Sequence, residues 1–201
     1  MKTITEQSAI IDVEETEIAT RDMDVFYNPK MKHNRDVSVA LLASLKNPVK
    51  TIGLPMCATG VRAIRFAKEL SGDLTITAND LSPLAISRAK QFAKKNGVSI
   101  TWSQGQSDLF FCNSTGLDYI DIDPFGSPNP FLDMAMKRLN RGGILAVSAT
   151  DTAALCGTSD AACIRKYNGK TSRSELKYEA GVRILIRKVQ EVGAQYDKAL
   201  T

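Results

Sequence analysis

Residues 51–80 read TIGLPMCATGVRAIRFAKELSGDLTITAND, and this stretch carries the clearest indication of fold class. It begins with a short apolar run at 51–56, which is typical of a strand. Apolar residues at helical spacing follow at 60–70, and a β-branched run at 74–78 indicates a second strand. Two strands joined through a helix by short turns predict a βαβ unit, in which the strands run parallel.

The same alternation continues downstream. Ser82 before Pro83 is typical of an N-cap followed by the first residue of a helix, which we expect to run to about residue 95. Further strands are predicted at 98–102, 117–122 and 143–148, and further helices at 130–140 and 174–195. The sequence therefore predicts an α/β fold with a doubly wound, mostly parallel sheet and helices on both faces.

An N-terminal segment, residues 1–36, precedes this main domain, which we assign to residues 37–201. The apolar run at 9–11 indicates an edge strand or a hairpin. The aromatic pair Phe26 and Tyr27 then enters a turn. We therefore expect the N-terminal segment to contribute an edge strand or a hairpin.

Composition argues against several classes of function. The chain has four cysteines without a C-x-x-C pair and a single histidine, His33, so we expect neither a metal site nor a Ser-His-Asp triad. It shows no signal pattern and no apolar run of membrane-spanning length, which predicts a cytoplasmic protein with free thiols and no membrane partner. The formal net charge of +4 permits a polyanionic partner without requiring one.

Residues that follow the predicted strands are the candidate ligand-binding residues, because doubly wound sheets bind ligands beyond the carboxyl ends of their strands. Thr59 and Gly60 after the first strand are small, so the backbone there can approach a carboxylate or phosphate. Asp80 after the second strand can accept both hydroxyls of a ribose, and Asp108 after the third can accept an adenine amino group. An ordinary tight turn or surface turn remains an alternative, and the missing three-glycine fingerprint disfavours NAD.

The most informative segment follows the fourth predicted strand, where residues 121–128 read DIDPFGSP. An exocyclic nucleobase amine is a poor nucleophile, because its lone pair is delocalised into the ring. The carboxylate of Asp123 and a backbone carbonyl at Pro124 can accept its two hydrogens and orient the lone pair for methylation. Phe125 can stack on an extruded base. A proline-rich turn capped by an acid is the weaker alternative.

A basic stretch follows the fifth predicted strand. Its cations Arg165, Lys166, Lys170 and Arg173 can contact the phosphates of a nucleic acid. A solvated loop face is the alternative interpretation, which charge alone favours.

Taken in order, these segments resemble the tRNA guanine-26 N2-dimethyltransferases, particularly the archaeal ones. The resemblance covers nearly the whole chain and is carried by FYNPKM at 26–31, ATGVRAIRF at 58–66, DIDPFGSP at 121–128 and CIRKY at 163–167. It implies a class I, Rossmann-like methyltransferase fold and S-adenosylmethionine as the methyl donor. It also implies tRNA as the partner and the exocyclic N2 of a guanine as the acceptor.

The resemblance implies roles for individual residues as well. Asp123 would be the catalytic acceptor beside Pro124 and Phe125. Among the donor-binding residues, Arg62 would lie near the methionine end and Asp80 would hold the ribose. The full set implied to hold or enclose the donor is Phe26, Arg35, Thr59, Gly60, Arg62, Asp80 and Asp108.

Two departures from the family pattern affect these expectations. Leu54 stands where members usually have an acid early in the first motif, which predicts weaker or differently arranged donor binding. The family also has further strands and a C-terminal tRNA-binding domain, so we expect an open sheet edge and a missing part, or a separate polypeptide supplying it. A truncated, non-catalytic fragment that binds donor or RNA, and a methyltransferase acting on another nucleobase amine, are the alternatives.

Overall fold

The computed structural model describes residues 1–14, 23–171 and 173–200. The predicted N-terminal segment therefore includes residues that lie outside the described ones, namely 15–22. The chain begins with an antiparallel hairpin, β1 (Lys2–Glu6) and β2 (Ala9–Val13), which is separate from the main sheet.

The main sheet has five strands, which are β3 (Thr51–Leu54), β4 (Thr75–Asp80), β5 (Thr101–Gln104), β6 (Leu117–Ile122) and β7 (Leu139–Val147). They are ordered β5-β4-β3-β6-β7, and every neighbouring pair is parallel. The chain order reverses between β3 and β6, as in a doubly wound fold. The predicted parallel α/β sheet is therefore confirmed.

Helices connect and cover these strands. They are α1 (Lys32–Ala43), α2 (Val61–Glu69), α3 (Pro83–Lys95), α4 (Ser107–Asn113), α5 (Asn129–Arg138), α6 (Thr152–Leu155), α7 (Asp160–Tyr167) and α8 (Lys177–Ala194). Ser82 caps α3 as predicted, because its hydroxyl accepts the Ala85 N–H at 3.2 Å. None of the helices in the described residues is long and apolar enough to cross a membrane.

Two strands start well away from their predicted bounds, since β5 starts at Thr101 instead of residue 98 and β7 starts at Leu139 instead of residue 143. The later start of β5 has a local cause. The reason lies at the end of α3. Gly97 has a φ of +67°, and the Val98 N–H donates to the Ala93 carbonyl at 3.1 Å. Residues 97 and 98 therefore form the C-terminal cap of α3, and the strand begins after them.

The core lies on both faces of the sheet. Tyr119 and Ile120 are adjacent in β6 and both almost fully buried, so their side chains point to opposite faces. Tyr119 packs edge-on against Phe66 of α2, with ring centroids 5.5 Å apart. Ile120 belongs to the cluster that includes Leu132 of α5. This packing on both faces holds the carboxyl end of β6 in place.

Candidate active site

A cleft of about 850 Å³ opens at the carboxyl ends of β3, β4 and β6. This volume is in the range of small-molecule sites. Asp80 lines it from β4, Asp108 from the first turn of α4, and Asp123 from the segment after β6. The cleft therefore lies where the chain order of the sheet reverses, which is the ligand position of doubly wound folds.

A smaller cavity of about 320 Å³ lies beside β4, β5 and α4. Its lining is made of hydroxyl, amide and apolar side chains without a titratable group, so it offers no acid or base. In residues 1–14, 23–171 and 173–200, no group of three or more His, Cys, Asp or Glu side chains is arranged to hold a metal ion.

The turn between β3 and α2 contains a left-handed glycine that is closely packed. Gly60 has a φ of +72° and does not line the cleft, whereas its neighbour Thr59 does. A Cβ on Gly60 would lie 2.9 Å from Cη2 of Trp102 and 3.0 Å from Cβ of Ala89. The glycine therefore allows α2 to approach β5 and α3.

Asp80 is oriented by two backbone donors. Its Oδ2 accepts the Ala58 N–H at 2.8 Å, and its Oδ1 accepts the Ser82 N–H at 2.9 Å. Each carboxylate oxygen can accept a further hydrogen bond, so the fixed side chain is suited to a pair of neighbouring hydroxyls. Burial, followed by the charge of Asp80, raises the pKa of the nearby Cys57 thiol, which is therefore not a nucleophilic thiolate at neutral pH.

Arg62 contacts two acids, Asp121 in β6 and Asp123 just after it. Its Nη1 lies 3.1 Å from Oδ2 of Asp121, and its Nη2 lies 3.5 Å from Oδ2 of Asp123. The same guanidinium donates to Asn34 Oδ1 at 2.7 Å and to Ser38 Oγ at 3.0 Å. Arg62 lines the cleft, and its guanidinium is within hydrogen-bonding distance of the Asp123 carboxylate.

The two acids differ in their access to the cleft. The Asp121 side chain is 4% exposed, whereas that of Asp123 is 28% exposed. Burial raises the pKa of Asp121, although the charge of Arg62 and a hydrogen bond from the Tyr119 hydroxyl at 2.7 Å oppose this rise. Asp123 is therefore the more accessible of the two acids, and Asp121 lies buried against Arg62.

Two aromatic rings line the cleft beside Asp123. Phe26 and Phe125 meet edge to face, with ring centroids 4.7 Å apart. Phe125 is 47% exposed, and the neighbouring Pro124 is buried. An exposed ring that packs against a second ring offers a stacking surface for a planar base.

Arg35 reaches the cleft from α1 and is held by an acid that sequence reasoning missed. Its Nε donates to Oε1 of Glu6 at 2.7 Å, and its Nη2 donates to Oε2 of the same carboxylate. Glu6 is 1% exposed and also accepts from Arg65 at 3.1 Å and from the Tyr27 hydroxyl at 2.9 Å. No local motif marks Glu6, because its partners come from α1, α2 and the segment between β2 and α1.

The titration of this buried cluster follows from its contacts. Burial raises the pKa of Glu6, but the hydrogen bond and charge of Arg35 outweigh it, so the net shift is downward. Burial and the hydrogen bond to Glu6 raise the pKa of Tyr27 to about 12. Glu6 is therefore charged and Tyr27 protonated at neutral pH.

The four predicted phosphate contacts lie on and after α7, outside the cleft. Arg165 and Lys170 are exposed. Lys166 already forms an ion pair, because its Nζ lies 3.0 Å from Oδ2 of Asp151. Arg173 is exposed, and its Nε donates to a backbone carbonyl at 3.1 Å.

A family model and the sequence relatives match nearly the whole chain. Residues 6–201 match the family model described as N2,N2-dimethylguanosine tRNA methyltransferase. The tRNA (guanine(26)-N(2)/guanine(27)-N(2))-dimethyltransferase of Aquifex aeolicus is 43% identical over 200 residues, covering 95% of this chain and 51% of the relative. The tRNA (guanine(26)-N(2))-dimethyltransferase of Methanothermobacter thermautotrophicus is 38% identical over 203 residues, covering 99% of this chain and 53% of the relative.

Among solved structures, Trm1 from Pyrococcus horikoshii in complex with S-adenosyl-L-methionine superimposes with a TM-score of 0.89 at 34% identity. The superposition covers 98% of this chain and 56% of that one. The chain thus spans about half the length of the relatives it matches.

Proposed function

This chain belongs to the N2,N2-dimethylguanosine tRNA methyltransferase family, and on that premise we propose that it methylates the exocyclic N2 of guanine-26 in tRNA. Its sheet has the class I methyltransferase fold. The observation that carries the proposal is the meeting of Asp123, Phe125 and Asp80 in one cleft. The alternative is a fragment that binds donor or RNA without catalysis, which is motivated by the length of the relatives.

The chemistry of the cleft fits S-adenosylmethionine, which supplies an electrophilic methyl group when bound. Asp80 accepts the ribose hydroxyls, because both of its oxygens keep acceptor capacity beside their backbone donors. Asp108 accepts the adenine amino group. Leu54 is buried at the end of β3 and has no polar group to offer, so polar recognition of the nucleoside falls to these two acids.

The methionine end of the donor is enclosed by residues of α1, α2 and the segments before them. Arg35 and Arg62 bring positive charge to the cleft, and the carboxylates of Glu6, Asp121 and Asp123 hold them there. Phe26 and Thr59 complete this side of the cleft. Gly60 contributes through the packing of the turn.

The acceptor side of the reaction uses Asp123, Pro124 and Phe125. Phe125 stacks on the extruded guanine. The Asp123 carboxylate and the Pro124 carbonyl accept the two hydrogens of N2, which orients the lone pair away from the ring plane. As N2 gains positive charge, its proton passes to Asp123, whose orientation is maintained by Arg62.

Recognition of tRNA extends beyond the cleft. Phosphates of the tRNA are contacted by Arg165 and Lys166 at the end of α7 and by Lys170 and Arg173 after it. Lys166 also forms an ion pair with Asp151. A C-terminal domain, on the same polypeptide or a separate one, adds further tRNA contacts, since the relatives are about twice as long. Because tRNA is the substrate, we place the activity in the cytoplasm.

Substitution of the proposed catalytic acid tests this function. Asp123→Asn keeps the size of the side chain but removes the proton acceptor. We expect the single-turnover rate of methyl transfer to unmodified tRNA to fall by about 10²–10⁴-fold. We expect the Kd for S-adenosylmethionine, measured by calorimetry, to change by less than about threefold, which is under 1 kcal/mol.

The matched control is Asp133→Asn on the exposed side of α5, which we expect to transfer methyl groups at the wild-type rate. Equal rates for wild type and Asp123→Asn would remove Asp123 from catalysis. A wild-type chain that binds the donor but never transfers methyl would support the non-catalytic alternative. Mass spectrometry of the digested tRNA identifies the base, and a product other than N2-methylated guanine would overturn the substrate assignment.

A further inference from the structure

The segment that joins β6 to α5, residues 123–128, is here called the catalytic loop. It lies against the turn that follows β7. The Ser148 N–H donates to the Ile122 carbonyl at 2.8 Å, just before the loop begins. Gly126 and Thr150 then pair twice, because the Gly126 N–H donates to Thr150 Oγ1 at 2.7 Å and the Thr150 N–H donates to the Gly126 carbonyl at 2.9 Å.

One residue later the loop meets a buried tyrosine of α7. Tyr167 is 1% exposed, and its hydroxyl donates to Oδ1 of Asp151 at 2.7 Å. Oγ of Ser127 lies 2.9 Å from the same phenolic oxygen. A carboxylate only accepts, so the single phenolic hydrogen is directed to Asp151, and Ser127 must donate to Tyr167. Lys166 pairs with the other oxygen of Asp151 and completes the chain of contacts.

The contact with Tyr167 lies on the C-terminal side of the catalytic loop, after Asp123 and Phe125. Gly126 separates Phe125 from Ser127, and its φ of +87° with open space where a Cβ would be is a backbone conformation that favours glycine. The reactive residues precede Gly126, and the anchor to Tyr167 follows it. Burial, followed by the hydrogen bond to Asp151, raises the pKa of Tyr167, so the phenol keeps its proton at neutral pH.

We propose that Tyr167, oriented by Asp151, is a positioning residue that holds Ser127 and thereby keeps Asp123 and Phe125 facing the cleft. This inference rests on the proposed methyltransferase function. It gives the CIRKY sequence at 163–167 a role that differs from phosphate binding. Tyr167 touches neither the donor nor the base, and it acts through the loop.

The test uses Tyr167→Phe, which removes one hydroxyl and keeps the ring. We expect the single-turnover rate of methyl transfer to fall by about 10- to 100-fold, as a small misplacement of reacting groups does. We expect the donor Kd to stay within about threefold of wild type. Ser127→Ala breaks the same link from the loop side, where it leaves the α7 packing intact, and should give a similar loss of rate. The double variant should lose little more than either single variant.

Tyr196→Phe is the matched control, because Tyr196 also donates its hydroxyl to an aspartate, Asp133, away from the cleft. We expect it to retain the wild-type rate. Hydrogen–deuterium exchange of the Gly126 amide supplies a readout that does not depend on activity. This amide should exchange faster in Tyr167→Phe and Ser127→Ala than in wild type or Tyr196→Phe.

The outcomes separate this inference from the proposed function. If the wild-type chain transfers no methyl, the proposed function fails, and the Gly126 exchange alone decides whether Tyr167 restrains the loop. If Tyr167→Phe matches wild type in both rate and exchange, the positioning role is overturned. The same holds if its rate and donor affinity fall in equal proportion, because that pattern reports a general loss of structure.

Discussion

Asp80 is held by the N–H groups of Ala58 and Ser82, so its orientation is set before any ligand arrives. Preorganisation of this kind lowers the entropic cost of ligand binding. The same two hydrogen bonds join the turn after β3 to the turn after β4. At the scale of the residue, one carboxylate therefore both shapes the cleft and presents acceptors to it.

Replacing this carboxylate should weaken donor binding. Asp80→Asn exchanges one accepting oxygen for an amide nitrogen, which only donates. That nitrogen can accept a hydrogen bond neither from a backbone N–H nor from a ribose hydroxyl. We expect the Kd for S-adenosylmethionine to rise by about 10- to 100-fold, in line with the loss of hydrogen bonds to a charged group. Calorimetry measures the Kd, and the Tm of the same sample reports on folding.

Asp73→Asn is a suitable control for this measurement, because Asp73 is exposed in the turn before β4. It should bind the donor as wild type does. A wild-type Kd for Asp80→Asn would argue against a ribose contact at this position.

Arg62 makes contacts that its local sequence motif does not indicate. Arg62 belongs to the motif at 58–66, and in the structure its side chain lines the cleft. The structure adds its partners Asn34, Ser38, Asp121 and Asp123, which come from α1 and the end of β6. These contacts join residues from distant parts of the chain, so the sequence pattern gives no indication of them.

At the scale of elements, the turn from β3 into α2 requires a residue without a side chain, which is Gly60. Gly60 combines a left-handed backbone with contact to Trp102, so two separate effects oppose any substitution there. Gly97 at the end of α3 shares almost the same φ, +67° against +72°, but has open space around its Cα. The pair allows backbone strain and packing to be measured separately.

Alanine at these two glycines should therefore give different losses of stability. Gly97→Ala is expected to cost about 1–2 kcal/mol, which is the strain of a left-handed non-glycine residue. Gly60→Ala is expected to cost roughly 1–3 kcal/mol more, because the added methyl crowds Trp102 and Ala89. Urea unfolding measures both values.

Trp102 is the single tryptophan of the chain, so its fluorescence reports directly on the packing at Gly60. The emission should shift in Gly60→Ala and stay unchanged in Gly97→Ala. Equal losses of stability for the two variants would show that the contact with Trp102 carries no energy.

Three short helices were not predictable from sequence periodicity. α4 has seven residues, α6 has four and α7 has eight, so each makes only one or two turns. A pattern of 3.6-residue spacing needs a longer window to be distinguished from a loop. Short helices also gain most of their stability from tertiary packing. The basic stretch at 165–173 accordingly begins inside a helix.

At the scale of the whole molecule, Glu6 ties the N-terminal hairpin to the rest of the protein. Its carboxylate joins Arg35 of α1, Arg65 of α2 and Tyr27. Arg65 in turn pairs with Glu69 at 2.9 Å. The hairpin thus supports two elements that line the cleft, α1 and the segment containing Phe26.

The contribution of Glu6 to stability should depend on pH. Its folded-state pKa lies below the ordinary value of 4.5, so its stabilisation is complete above about pH 5 and is lost as pH falls through the lowered value. Glu6→Gln removes the carboxylate that pairs with the buried guanidinium of Arg35, which costs about 3–5 kcal/mol at pH 7, whereas Arg65 keeps its pairs with Asp36 and Glu69. The difference from wild type should shrink as pH falls below about 4.5.

Urea unfolding followed by circular dichroism between about pH 3 and pH 7 measures this difference. Glu191→Gln, which breaks an exposed pair with Arg187, is the control and should cost less than about 1 kcal/mol at any pH. A difference between wild type and Glu6→Gln that stays constant across the pH range would contradict the assigned shift.

The sequence by itself determined the parallel sheet, the cap of α3 by Ser82 and the acids at the carboxyl ends of β4 and β6. Apolar periodicity and turn residues act between near neighbours in the chain, so these features can be predicted locally. Tertiary structure alone decided that Glu6 meets Arg35, that Gly60 faces Trp102 and that Tyr167 anchors Ser127. These partners are far apart in sequence, and a buried polar or close-packed contact is specified only when folding brings both sides together.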